Sequence, residues 1–121
     1  MSWVDDAVAD FGRGMGVPLL ALPESGAFEI AFERRGSFYL ERAGEDLLLY
    51  LKRGYPFASP ELLRRALEAC HWRQNRPFVV RIAMREDELV YLIRLAPREI
   101  TLDRLERALA YLTEMHDQLN A

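Results

Sequence analysis

The sequence predicts an α+β domain in which helices pack on one antiparallel, twisted sheet. The spacing of apolar residues changes along the chain in the order α-β-β-β-α-β-β-α. Within each strand group the connections are only a few residues long, which favours antiparallel pairing, since parallel pairing needs a longer crossover. A chain of 121 residues can support one core of its own. We therefore expect a single domain over residues 1–121.

The first helix is predicted to begin at Ser2, a favourable N-cap residue. Asp5 and Asp6 follow it and complement the positive end of the helix dipole. The apolar stripe repeats every three or four residues and comprises Val4, Val8, Phe11 and Met15, widened by Trp3 and Ala7. Glycines within residues 12–16 and then Pro18 end the helix, because glycine tolerates the left-handed cap and proline cannot continue the turn.

Three strands follow, each with the two-residue alternation of a half-buried sheet. Their apolar face comprises Phe28, Ile30, Phe32, Phe38, Leu40, Leu47, Leu49 and Leu51. The third strand differs from the first two, because Leu48 and Tyr50 make its opposite face apolar as well. We interpret this as a strand that is covered on both sides.

The second helix is predicted to start at Ser59-Pro60, since a proline in the first turn costs no hydrogen bond. Its apolar face comprises Leu62, Leu63, Ala66, Leu67 and Cys70. The hairpin that follows has the apolar residues Phe78, Val80, Ile82, Met84, Leu89, Tyr91, Ile93 and Leu95. Thr101 is the expected cap of a last helix, whose stripe comprises Leu102, Leu105, Leu109, Leu112, His116 and Leu119.

The composition favours a cytoplasmic protein that binds another protein. Half of the residues are hydrophobic, which is more than a domain of this size readily buries. The net charge of −3 gives no general attraction to nucleic acid. The sequence lacks an apolar run long enough to span a bilayer, and acidic residues stand where a signal peptide would be basic. A single cysteine agrees with a reducing compartment.

The residue types that usually carry catalysis or metal binding form no recognisable site in this sequence. Cys70 and His71 are adjacent on a helix and point in different directions, so we expect a buried, inert thiol. His116 lies within an apolar stripe and is expected to be packed or interfacial, since two histidines offer no metal-ligand spacing. The glycines of residues 12–16 lack the strand-to-helix setting of a phosphate loop. We expect neither an enzyme nor a cofactor or metal.

Basic residues around the second helix leave a nucleic-acid alternative open. They are Arg64, Arg65, His71, Arg73 and Arg76, with Trp72 among them. Interleaved arginines and aromatic residues are typical of a platform for single-stranded nucleic acid. A solvated helix face, balanced by Glu61 and Glu68, is the simpler interpretation. Four glutamates could supply paired carboxylates for acid/base catalysis, but they carry no sign of a pocket; they are Glu24, Glu29, Glu33 and Glu41.

The order of elements resembles that of the class I chaperones of type III secretion systems over the whole chain. A sharper resemblance, to the start of SycN-like chaperones, lies in Met1-Ser2-Trp3-Val4, Phe11 and Gly16-Val17-Pro18. The resemblance implies heterodimers with a second small chaperone of the YscB kind. It also implies that the cargo is a YopN/PopN-type gatekeeper, which blocks premature effector release, and that neither ATP nor catalysis is involved.

We expect such a protein to hold the N-terminal segment of its cargo in extended form, through sheet-edge hydrogen bonds and apolar patches. The predicted cargo-binding residues are Trp3, Phe11, Phe28, Phe32, Phe38 and Leu40. The subunit interface implied by the resemblance comprises Leu62, Leu63, Ala66, Leu67, Phe78, Val80 and Ile82. For members of both sets, burial in the core is the alternative.

Two other classes of function remain open from the sequence. A regulatory module of the same fold would bind a folded partner instead of an unfolded segment. An RNA-binding domain would depend on Arg64, Arg65 and Arg73, and its affinity would fall with salt.

Overall fold

The structure, a computed structural model, describes residues 3–17, 22–56, 59–71 and 77–119. Its elements are α1 (Trp3–Gly14), β1 (Ala27–Phe32), β2 (Gly36–Ala43), β3 (Asp46–Gly54), α2 (Pro60–Glu68), β4 (Val80–Arg85), β5 (Glu88–Leu95) and α3 (Leu102–Leu119). A short 3-10 helix, Pro97–Glu99, precedes α3. This order confirms the α+β class and the predicted succession of helices and strands.

The five strands form one antiparallel sheet in the order β1-β2-β3-β5-β4. The first three strands are the predicted meander, and β5 pairs with both β3 and β4. Consequently β1 and β4 are the two edge strands. A strand at a sheet edge offers a row of backbone N–H and C=O groups to another chain.

The helices lie on one face of the sheet, where the core is. The central strands supply fully buried side chains to this face, among them Leu47, Leu49, Leu51, Leu89, Tyr91, Ile93 and Leu95. Helix α3 packs on β3 and β5, and α1 packs against α3. The rings of Phe11 on α1 and Phe38 on β2 are 5.8 Å apart between centroids, which joins α1 to the sheet. The opposite face carries no helix within the described ranges.

The helix ends follow local rules that the sequence predicted. Ser59 Oγ accepts a hydrogen bond from the backbone N–H of Leu62 at 3.1 Å, and Thr101 Oγ1 accepts one from Arg104 N–H at 3.2 Å. Gly16 has φ +74° just after α1. The predicted cap Ser2 and the predicted stop Pro18 lie outside the described residues. The last strand pair differs slightly from the prediction, because β4 begins at Val80 and Phe78 precedes it.

The turn between β1 and β2 depends on Gly36. Its φ is +109°, and a Cβ there would lie 2.3 Å from the carbonyl oxygen of Lys52 on β3. For both reasons, a residue with a side chain at position 36 would require the backbone to shift. This glycine therefore fixes where β2 starts against β3, and with it which residues share a sheet face.

One buried polar group, His116, joins α3 to the sheet. Its Nε2 lies 2.9 Å from the carbonyl oxygen of Leu51, and its Nδ1 lies 2.8 Å from the hydroxyl of Tyr55. Since a carbonyl only accepts, Nε2 carries the proton and Nδ1 accepts from Tyr55. Burial lowers the pKa of His116 to about 4, so the ring is neutral at neutral pH. The residue is packed inside the chain, one of the two predicted roles.

Candidate protein-binding surface

The predicted cargo-binding residues divide into an exposed group and a buried group. Trp3 is 58% exposed, and its indole N–H donates to the carbonyl oxygen of Pro97 at 3.2 Å. That hydrogen bond holds the ring against the protein and leaves much of it open to solvent. Phe28 and Phe32 on the edge strand β1 are half-buried. The Arg35 guanidinium lies 5.3 Å above the ring of Phe32.

Three of the predicted cargo-binding residues are corrected by the structure. Phe11 on α1 and Phe38 and Leu40 on β2 are fully buried. They cannot contact another chain unless the fold opens. Alternation predicted correctly that Phe38 and Leu40 share an apolar face, but the helices of the same chain cover that face. The remaining set is Phe28 and Phe32 on the edge strand β1 and Trp3, which lies on α1 beside the hairpin of β2 and β3; we call this set the edge surface.

The predicted subunit-interface residues divide in the same way. Leu67 is 59% exposed, and Leu62, Leu63 and Ile82 are half-buried. Tyr91, the strand neighbour of Ile82, donates its hydroxyl to the carbonyl oxygen of Ala66 at 3.2 Å, which brings α2 beside β5 and β4. The exposed remainder of this set therefore lies at the β4 side of the molecule.

Ala66, Phe78 and Val80 are corrected as interface residues, because they belong to the core. The ring of Phe78 packs against Tyr111 at 5.7 Å and beneath the Arg104 guanidinium at 4.6 Å. Two residues that the prediction omitted are more accessible on this side than Ala66, Phe78 and Val80. They are Val79, which is 83% exposed, and Met84, which is 38% exposed.

A cleft of about 310 Å³ lies beside Trp3. Its walls include Arg42 and Glu45 from the hairpin of β2 and β3, and Pro97 from the 3-10 helix. Arg42 is held by Asp5 at 2.5 Å, which ties the hairpin to the start of α1. The cleft thus has one aromatic wall and a charged rim, and it extends the apolar surface that Trp3 offers.

The sheet face without helices is a further candidate surface, which we call the open face. Its central side chains are half-buried and comprise Tyr39, Leu48, Tyr50, Val90 and Leu92. The rings of Tyr39 and Tyr50 stack with centroids 4.8 Å apart. Their hydroxyls donate to Glu29 at 3.0 Å and to Glu41 at 2.8 Å. Burial and the bond to Glu41 raise the pKa of Tyr50, so its hydroxyl stays protonated.

The open face was only partly predicted. Leu48 and Tyr50 on β3 predict a strand covered on both sides, but within the described ranges the helices cover only one side, and both residues are half-buried. Tyr39, Val90 and Leu92 are also apolar residues at outward positions of their strands, which is the signal that reveals the surface. The register places these side chains on adjacent strands.

The basic residues of α2 are occupied within the chain. Arg64 contacts Glu61 at 2.5 Å and Glu68 at 2.6 Å, and these carboxylates raise its pKa. Arg65 donates to the carbonyl oxygen of Leu119 at 3.1 Å. Residues 72–76, which include the remaining predicted nucleic-acid contacts, lie outside the described residues. Two of the three arginines that an RNA-binding role would need thus serve the fold.

The chemistry-bearing side chains do not assemble into a reactive site within the described ranges. Those ranges contain no group of three or more His, Cys, Asp or Glu that could hold a metal ion. Cys70 is half-buried against the core instead of fully buried, and the adjacent His71 is exposed. In the same part of the chain, no helix is both long and apolar enough to cross a membrane.

Known proteins match this chain over nearly its full length. A family model described as "Type III secretory system chaperone SycN" matches residues 3–120. The chaperone protein SycN of Yersinia enterocolitica is 26% identical over an alignment of 123 residues, which covers 100% of this chain and 99% of the relative. The SycN protein of Yersinia pseudotuberculosis has the same identity and coverage.

Solved structures share the fold at lower identity. A chain of the complex of the Yersinia pestis chaperone SycH with a fragment of YscM2 matches with a TM-score of 0.72 and 17% identity, covering 96% of this chain and 98% of that chain. A chain of the ExsC–ExsE complex matches with a TM-score of 0.74 and 22% identity, covering 94% of this chain and 90% of that chain.

The match of the family model to residues 3–120 settles the assignment. The chain belongs to the SycN family of type III secretory system chaperones.

Proposed function

We propose that this protein works in the bacterial cytoplasm as a heterodimer with a second small chaperone of the YscB kind. The pair would hold the N-terminal segment of a YopN/PopN-type gatekeeper in extended form and support its secretion. Membership of the SycN family is the observation that carries this proposal. Solved relatives of the same fold include a chaperone–effector complex, HopA1–SchA, which agrees with a role in holding another protein.

The edge surface is the proposed cargo contact. Strand β1 is at the edge of the sheet, so its outer backbone groups can pair with an extended segment. Phe28 and Phe32 on this strand and Trp3 on α1 add apolar contact area. Ordering an unfolded segment costs several kcal/mol, about 2–5 in typical cases, so aromatic contacts of this kind must offset that cost.

The second chaperone is proposed to bind at the other end of the sheet. Leu67, Leu62 and Leu63 on α2 and Ile82 on β4 form the accessible part of the predicted interface there. Because β1 and β4 are opposite edges, one molecule can hold the cargo and the second chaperone at separate places.

The proposal is tested by co-expressing the chain with its neighbouring small reading frames and with the secreted protein encoded beside them. Purification through a tag on this chain is expected to recover a second small chaperone and the secreted protein. The double variant Trp3→Ala and Phe32→Ala is expected to weaken cargo binding about 30- to 1,000-fold, since each truncation removes roughly 1–2 kcal/mol of apolar contact.

Leu102→Ala is the matched control for that experiment. Leu102 is 37% exposed on α3 and belongs to neither proposed surface, so its truncation should leave cargo affinity unchanged. A soluble, strictly monomeric wild-type protein that recovers no partner would contradict the proposal. Equal loss of affinity in the control and the double variant would show that the edge surface is not the contact.

A further inference from the structure

We propose that the open face binds the open face of a second copy of this chain, across a two-fold axis that runs along β3. This inference goes beyond the chaperone function and does not depend on it. It rests on the open face alone, whose apolar centre and charged margins are arranged so that the face is complementary to itself.

The strand register defines the layout of the open face. One row across the sheet contains Glu29, Tyr39, Tyr50, Leu92 and Arg81, in the strand order β1-β2-β3-β5-β4. The adjacent row contains Ala27, Glu41, Leu48 and Arg94. Acidic residues thus stand on the β1 and β2 side of both rows, and basic residues on the β5 and β4 side.

A two-fold axis along β3 exchanges the two sides of the sheet and keeps the rows in place. Glu29 then faces Arg81 of the second copy, and Glu41 faces Arg94 of the second copy. Each contact occurs twice, because an interface with two-fold symmetry uses the same patch on both subunits. A two-fold axis perpendicular to the strands would instead place acidic residues over acidic ones, so the charges select one arrangement.

The centre of the row supplies the apolar contact. Tyr50 and Leu48 lie on the axis and face their own counterparts, and Tyr39 faces Leu92 of the second copy. The hydroxyls of Tyr39 and Tyr50 already donate to glutamates on their own sheet, so burying the rings leaves no tyrosine donor unpaired. Lys52 on β3 also faces its own counterpart, and the Glu88 carboxylate 3.4 Å from each ammonium group reduces the repulsion between the two.

The outer pair, Glu29 and Arg81, is available for this contact. Arg94 already pairs with Asp46 at 2.6 Å, and Glu41 accepts the Tyr50 hydroxyl at 2.8 Å, so the inner pair adds less. Among the described residues, none forms an ion pair with Arg81, and Glu29 is bound only by the Tyr39 hydroxyl. Two packed sheets normally cross at about 30°, which displaces the β1 and β4 positions by roughly 5 Å, a distance that an arginine side chain can span. The pairing therefore survives the twist of the sheets.

The area of the open face is sufficient for a modest dimer. A third row of the open face contains Ala31, Ser37, Lys52, Val90 and Ala83. Five strands about 4.8 Å apart and three rows about 7 Å apart give roughly 500 Å² of projected face on each copy. The total is near the lower limit of about 1,000 Å² for a specific interface. We therefore expect a dimer that forms at micromolar or higher concentration instead of an obligate one.

Sedimentation equilibrium of the purified chain tests the proposal. The wild-type protein is expected to dimerise with a dissociation constant below about 100 μM. Glu29→Arg and Arg81→Glu each place like charges opposite one another twice, so each variant alone is expected to dimerise about 30-fold more weakly, if at all. An equimolar mixture of the two variants is expected to form a heterodimer, because both contacts are then complementary.

Leu67→Glu is the control, since Leu67 belongs to the proposed interface on α2 and not to the open face. It is expected to leave self-association unchanged, whatever it does to binding of a second chaperone. A wild-type chain that stays monomeric at about 100 μM would overturn the proposal. A mixture of the charge variants that stays monomeric, or self-association lost in Leu67→Glu, would overturn it as well.

Discussion

Phe38→Ala is expected to lower the free energy of unfolding by about 3–5 kcal/mol, because truncation of a fully buried aromatic ring leaves a cavity. The ring lies between the sheet and α1, where it contacts Phe11. It also neighbours Ile30 and Leu51 on the two adjacent strands. Urea unfolding followed by circular dichroism measures the loss.

Phe32→Ala is the matched control for this change. Phe32 is half-buried on the edge strand, so the same truncation is expected to cost about 1 kcal/mol. Phe38→Ala should weaken cargo binding only as far as it unfolds the protein, whereas Phe32→Ala should weaken binding in the folded protein. A Phe38→Ala protein with wild-type stability and reduced cargo affinity would place Phe38 on the binding surface after all.

Acidification is expected to destabilise the protein through His116. Desolvation by burial lowers the pKa of this ring from 6.5 to about 4, so the unfolded chain binds the proton more tightly than the folded one. Stability from this group is complete above pH 6.5 and falls as the pH decreases towards 4. The difference between the two pKa values corresponds to a loss of about 3 kcal/mol in the free energy of unfolding.

His116→Gln and His71→Gln separate this effect from the titration of carboxylates. Glutamine at position 116 can still hydrogen-bond but does not titrate, so the steep loss of stability between pH 6.5 and pH 4 should become shallower. His71 is the other histidine of the chain and is exposed, so its replacement should leave the pH dependence unchanged. An identical pH dependence in His116→Gln and the wild type would contradict this account.

Local signals were sufficient to predict the elements of this fold. Ser59-Pro60 and Thr101 mark helix starts that the structure confirms through side-chain hydrogen bonds to backbone N–H groups. The alternation in residues 28–51 predicted the meander, because its turns are too short for any other pairing. The pairing of β5 with β3 is a long-range contact, and no local pattern specifies it.

The proposed binding surfaces were harder to predict, because alternation shows that a face is apolar but not what covers it. Phe38 and Phe32 have the same pattern, yet Phe38 lies on an inner strand beneath α1 and Phe32 lies on the edge strand. Leu48 and Tyr50 showed that β3 is apolar on both faces. The helices account for one of those faces, and the other is the open face.

The family could be predicted from a short opening segment together with the order of elements. Trp3, Phe11 and the Gly16-Val17-Pro18 exit from α1 provided the specific likeness. Beyond this segment the apolar strands offer few distinctive residues, since many side chains can fill the same core position. A family model detects the remaining similarity because it sums weak preferences over residues 3–120.

The most direct test of the central claim is backbone hydrogen exchange of the secreted protein's N-terminal segment, free and bound to the chaperone pair. We predict rapid exchange throughout the free segment. In the complex, we predict protection at alternate residues where the segment pairs with β1, as expected for strand addition at a sheet edge. If the free segment already showed the protection of a folded domain, and binding left that protection unchanged, the result would contradict the account.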